Sequence, residues 1–122
     1  MGAPVSLRLP DAVSEKVRTL ATLEHRSLAE MTKLLIEEAI ILREFPDIEF
    51  TEGPTGRRAT MRTGLDVWEI VEPYLLAGKD WQVLRQSYPD LDEAVLRSAL
   101  RYYEAYPDEI EARIARNQQR ES

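Results

Sequence analysis

The stretch Val5-Ser6-Leu7-Arg8-Leu9 alternates apolar and polar side chains with the two-residue period of a β-strand, and Pro10 stops it. No second strand pattern occurs before residue 46. So short a strand cannot satisfy its own backbone donors and acceptors, so it requires a mate from outside the N-terminal part of its own chain. Whatever this sequence folds into must supply that mate.

The residues that follow point to where the mate comes from. Asp11 is expected to cap a helix reaching to about Glu24, with Val13, Val17, Leu20 and Ala21 on one buried face. His25-Arg26-Ser27 breaks that helix. Ser27-Leu28-Ala29-Glu30 has the Ser-x-x-Glu form of a capping box, and a second helix is expected to about Arg43. Its apolar positions, Leu28, Met31, Leu34, Leu35, Ile36, Ala39, Ile40, Ile41 and Leu42, cover more than one stripe. Each large side chain buried contributes roughly 1.5 to 3 kcal/mol, so a unit this small cannot leave half of that arc in water. A second copy of the chain is the expected cover.

Composition narrows the chemistry. There is no Cys and one His, His25, which removes disulfides, thiolate nucleophiles, most structural zinc sites and any triad or metal cluster needing two imidazoles. No two carboxylates sit in a sequence context apolar enough to raise a pKa for acid–base work. The expectation is a binding protein with no turnover, no metal and no cofactor. With no run near the roughly 18 apolar residues of a membrane span and no signal-peptide pattern, a cytoplasmic protein is expected. Of the 122 residues, 16 are Lys or Arg and 22 Asp or Glu, a net charge of -6. Residues 1–45 hold six basic and seven acidic side chains and residues 46–122 hold ten and 15, so the acidity lies mostly in the second part. Phe45-Pro46-Asp47 punctuates the change, which places a module boundary near residues 44–47 and gives modules 1–45 and 46–122.

Residues 4–43 resemble the ribbon-helix-helix DNA-binding proteins of the Arc, MetJ and CopG type. The resemblance rests on Val5-Ser6-Leu7-Arg8-Leu9-Pro10, the amphipathic first helix and the Arg26-Ser27 pair opening the second, with His25 where the family often has Gly. It implies a homodimer whose two strands pair antiparallel and enter the major groove of operator DNA. Period-2 geometry then turns Val5, Leu7 and Leu9 inward and Pro4, Ser6 and Arg8 toward base edges. Arg8 is the strongest reader, because a guanidinium bridges two acceptors on guanine. The start of the second helix, Ser27 with the amides of Leu28 and Ala29, would clamp a phosphate, with Arg26 beside it. This edge carries no acid before Asp11, so its local field can favour DNA on an acidic chain.

In the second part, Ile48-Glu49-Phe50-Thr51 and Arg58-Ala59-Thr60-Met61 are expected to pair around Gly53-Pro54-Thr55-Gly56. Asp66 caps a helix with a Val67, Ile70, Val71, Tyr74, Leu75 stripe, and Glu69 completes its capping pattern. Pro73 is expected to kink that helix and Gly78 to end it. Further helices are expected from about Asp80 to Ser87 and, capped by Asp92, to about Ala105. The tight turn between them suggests a helix-turn-helix. The fold class is thus mainly α, a swapped-strand ribbon-helix-helix followed by a small helical domain with a short hairpin.

From about Gly53 to Ile110 the chain resembles a small helical domain family found in VapB-like antitoxins paired with PIN-like toxins. Gly56-Arg57-Arg58, Val67-Trp68-Glu69-Ile70, Leu76-Ala77-Gly78, Tyr88-Pro89-Asp90-Leu91 and Ala99-Leu100-Arg101-Tyr102-Tyr103 carry it. Arg62-Thr63-Gly64 departs from the family's Gly-Thr-Arg. The resemblance implies an antitoxin that represses its own promoter and neutralises a PIN-like ribonuclease toxin by direct binding. Arg57, Arg58 and Arg62, crowded into a turn-rich stretch, are candidates for phosphate or an acidic protein surface. Arg97 and Arg101 are candidates for a second DNA contact, against a structural reading in which Arg97 pairs with Glu93 or Glu104. Residues 108–116 show only Ile110 and Ile114 as large apolar residues, a stripe expected to order on a partner, and the tail from Asn117 is expected to fray. Two alternatives stay open: a stand-alone repressor or plasmid-partition protein without a toxin, and a protein adaptor that uses no DNA.

Overall fold

The computed structural model describes residues 2, 4, 6–54 and 56–121, with Glu121 described by its backbone alone. Among these residues the chain is mainly helical, with six helices and one two-stranded antiparallel sheet. It divides into two compact units, Met1–Ile40 and Ile41–Ser122, the division falling inside a helix. No helix among the described residues is long and apolar enough to cross a membrane.

The first unit holds helix α1 (Asp11–Leu23) and most of helix α2 (Leu28–Glu44). Pro10, and not Asp11, occupies the N-cap of α1. Its carbonyl accepts from Ser14 N at 2.9 Å, and the Asp11 carboxylate sits in the first turn, where it favours the positive end of the helix. The far end closes in a Schellman motif: His25 N donates to Thr22 O at 3.3 Å and Arg26 N to Ala21 O at 2.9 Å. This motif needs a left-handed residue at its corner, and His25 supplies it at φ 54°. Val17, Ala21 and Met31 are buried, with Leu9, Leu20, Leu34 and Leu35 packed around them. Val13, expected on that face, is 44% exposed. Residues 6–10 form no strand, and no ladder partner for them occurs among the described residues; Val5 lies outside the described residues.

In the second unit, strands β1 (Ile48–Gly53) and β2 (Gly56–Met61) pair in the expected register, from Ile48 opposite Met61 to Gly53 opposite Gly56. Helix α3 (Val67–Leu76) opens with the expected Asp66–Glu69 capping box, in which Asp66 N donates to Glu69 Oε1 at 3.1 Å. Pro73 is accommodated inside it, and a second Schellman motif ends it: Gly78, at φ 67°, donates to Leu75 O at 3.0 Å and Lys79 N to Tyr74 O at 2.8 Å. Helix α4 (Trp81–Ser87) is capped by Asp80, whose Oδ1 accepts from Gln82 N at 2.9 Å and Val83 N at 3.4 Å. Helix α5 (Glu93–Ala105) has Asp92 at its N-cap without a side-chain cap bond.

Helix α6 (Pro107–Glu121) corrects the expectation for the C-terminal stretch. Ile110 is 1% and Ile114 8% exposed, both inside the unit's own core with Ile48, Met61, Ile70, Leu84, Leu96 and Tyr102. The two isoleucines are an anchoring stripe and not an unpartnered one, because α3 and α5 of the same unit receive them. The helix continues past Asn117 to Glu121 in place of a frayed tail, and Asn117 Nδ2 donates to Glu72 Oε1 at 3.5 Å. Phe45 closes the core edge-on to Tyr102, ring centroids 5.5 Å apart.

Candidate nucleic-acid interface

The N-terminal edge starts from the cap of α2. Ser27 Oγ accepts from Glu30 N at 3.1 Å, the hydroxyl half of the expected capping box. Leu28 and Ala29 open the helix, where backbone amides have no acceptor inside the helix, and both side chains are exposed. Arg26 is half-buried, and its Nε faces Glu24 Oε1 at 3.5 Å. Part of its charge is therefore answered within the unit. Pro4, Ser6 and Arg8 are all exposed, so Arg8 is reachable by a ligand.

Beside that edge lies an apolar groove of about 600 Å³, lined by Leu7, Leu9, Leu28, Ala29, Thr32 and Ile36 among others. Leu7 is 60%, Ile36 48% and Ile40 53% exposed. The wide arc of α2 is thus only partly consumed by the first unit: Met31 is buried, while Leu28, Ile36 and Ile40 are exposed. Leu7 and Leu9, the described apolar members of the alternating stretch, line the same groove.

The C-terminal candidates are mostly engaged in structure. Arg58 Nε is 2.9 Å from Asp66 Oδ2 and donates to Oδ1 at 3.1 Å, tying the hairpin to the cap of α3. The Arg57 carbonyl accepts from Arg113 Nη2 at 2.7 Å. Arg62 reaches Glu49 only at 4.0 Å, with both side chains largely exposed. Arg97 Nε donates to Glu93 Oε1 at 2.8 Å, and its guanidinium lies 4.2 Å from the centroid of the Trp81 ring, so the pairing expected for a structural face is present. Such a stack contributes about 0.5–1 kcal/mol at an exposed site. Arg101 is exposed on the same helix and lines a shallow cleft with Trp81 and Glu104.

One grouping escaped the sequence reading. Arg113, Arg116 and Arg120 of α6 line a cleft of about 450 Å³ with Arg58, Trp68 and the carboxylates of Asp66 and Glu69. Their i, i+3, i+7 spacing places them on one helix face. Arg113 and Arg116 lie in the stretch expected to order on a partner and Arg120 in the tail expected to fray, and only the fold brings α6 against the β2–α3 corner. Asp66 organises the corner: Trp68 Nε1 donates to its Oδ2 at 3.0 Å, and Arg58 Nε lies within reach of both of its carboxylate oxygens.

No family description, no curated protein and no solved structure matches this chain.

Proposed function

We propose that the chain is a dimeric DNA-binding antitoxin, which binds operator DNA through its N-terminal ribbon and a PIN-like toxin through its C-terminal unit. The observation that carries the reading is the open apolar groove lined by Leu7, Leu9, Leu28 and Ile36, in which residues 6–10 belong to no strand. A second copy contributing its own residues 5–9 would cover that groove and complete the ladder. Arg8, Ser6 and Pro4 would then lie on the ribbon's outer face, with Ser27, Leu28 and Ala29 near the flanking phosphates and Arg26 as a minor contributor.

The toxin arm rests on the resemblance of residues 53–110. Ile110 and Ile114, named as possible toxin or second DNA contacts, are buried in the unit's own core; the second reading is a repressor that acts without a toxin. Gel shifts with the operon's own upstream DNA test the DNA arm. Loss of a bidentate guanine contact costs about 1–3 kcal/mol, so Arg8→Ala is expected to weaken operator binding roughly 5- to 150-fold and relax sequence preference. Unchanged affinity and preference in that variant would refute the assignment of the reading face. Co-purification from the native operon tests the toxin arm: a neighbouring gene product in the complex supports the antitoxin, and its absence favours the repressor.

A further inference from the structure

We infer that the outer edge of β1 takes an extended segment of a partner protein, with apolar and basic side chains in alternation, as a third strand of the sheet. The hydrogen bonds of β2 show which way the backbone of each strand faces. Met61 N donates to Leu65 O at 2.7 Å and Ala59 N to Glu109 Oε1 at 3.1 Å, while the Arg57 carbonyl accepts from Arg113 Nη2 at 2.7 Å. Residues 57, 59 and 61 therefore turn their backbone groups away from β1. In an antiparallel pair, directly opposed residues exchange both bonds or neither. Phe50 stands opposite Ala59 and Ile48 opposite Met61, so these two also point their backbone groups outward. Ile48 N is answered by Phe45 O at 3.0 Å. Among the described residues, nothing answers the N–H and carbonyl of Phe50.

The fold treats the two edges of the sheet differently. Side chains of α6, Glu109 and Arg113, meet the β2 edge, whereas β1 has no strand on its outer side. β1 has no Pro, Lys or bulge to blunt that edge, and all six of its residues pair with β2 in unbroken register. Such an edge adds an extended chain through main-chain bonds, and side chains supply the selection. On one face Ile48 is buried and Phe50 is half-buried against the core, so the incoming residue beside Phe50 is apolar. Glu49 lies on the other face. Glu52 stands opposite Arg57, but Glu49 stands opposite Thr60, and Arg62 reaches it only at 4.0 Å with both side chains largely exposed. A Lys or Arg of the incoming strand meets a carboxylate there. A second β1 would bring its own Glu49 to the same ladder, and like charges across a ladder are destabilising, so a basic partner is favoured over a second copy. Phe50 and Glu49 take no part in the proposed function, and the two readings fail independently.

The Phe50 amide provides the readout, by NMR of the labelled full-length chain. The probe is the peptide Lys-Val-Lys-Val-Lys-Val with both ends blocked, and Glu-Val-Glu-Val-Glu-Val is the control. The basic peptide at saturation is expected to slow solvent exchange of the Phe50 amide by roughly tenfold or more, and the acidic one to leave it unchanged. Glu49→Lys, at an exposed position, is expected to weaken the basic peptide by roughly fivefold or more with the circular dichroism melt unchanged. N-methylation tests the main-chain bonds without touching a side chain. The valine amides of the peptide face β1 in an antiparallel alignment and the lysine amides in a parallel one, so methylating one set is expected to abolish binding and methylating the other to spare it. Unchanged Phe50 exchange with the basic peptide, equal affinity in Glu49→Lys, or equal binding of both methylated peptides would overturn the inference. So would protection of the Phe50 amide that rises with protein concentration in the absence of peptide, which would assign the edge to a second copy.

Discussion

Tyr88 shows how a single residue ties two elements of the C-terminal unit. Its hydroxyl donates to the Glu69 carbonyl at 2.7 Å, and burial, with the negative charges of Glu69 and Glu72 adding to it, raises its pKa above the ordinary 10. The unfolded tyrosine then ionises before the folded one. Stability is therefore fully present below pH 10 and declines as pH rises through the folded value. Tyr103, whose pKa is raised by burial and by its bond to Glu111, acts in the same direction. Tyr88→Phe is expected to cost about 0.5–1.5 kcal/mol at neutral pH and to flatten the loss of melting temperature between pH 9 and 11. An alkaline profile unchanged by the substitution would contradict the assignment. Nothing in the sequence around Tyr88 announces this bond, because its acceptor is a backbone atom 19 positions away. His25 is the opposite case. Its place between two helical patterns and its tolerance of left-handed backbone made the turn legible, and it sits at φ 54°.

Among the elements, those whose signals are local were readable. The β1–β2 register follows from the turn at residues 53–56, and the Asp66–Glu69 box and the Gly78 stop lie where their side-chain chemistry puts them. Helix α6 was misjudged because Ile110 and Ile114 look thin until α3 and α5 are folded around them. The periodicity was visible, but the receiving surface is a tertiary product. If α6 is a core element, Ile110→Ala is expected to destabilise the unit by about 2–5 kcal/mol, the range for deleting a fully buried aliphatic side chain. Urea denaturation followed by circular dichroism measures it. A loss below about 1 kcal/mol would return α6 to the status of a peripheral arm. The arginine face of the same helix was hidden for the same reason, since spacing alone does not say which corner of the fold it meets.

For the whole molecule, the uneven burial of α2 is the controlling fact. Met31 is fully buried while Ile36 and Ile40 are about half exposed, so one copy of the N-terminal unit uses only part of the apolar surface its sequence encodes. Exposed aliphatic area of that kind is worth about 25 cal/mol per Å² once covered, which is the reason a second copy is proposed as its cover. That the first helices would hold excess apolar surface was legible from residue types alone. The toxin arm of the proposal depends on that surface least. Sedimentation equilibrium of the full chain at low micromolar concentration, alongside Leu7→Asp, tests this most directly. The account predicts a dimer of the 14.0 kDa chain that Leu7→Asp converts to monomer without loss of the C-terminal unit's helicity. A parent chain that sediments as a stable monomer would contradict it.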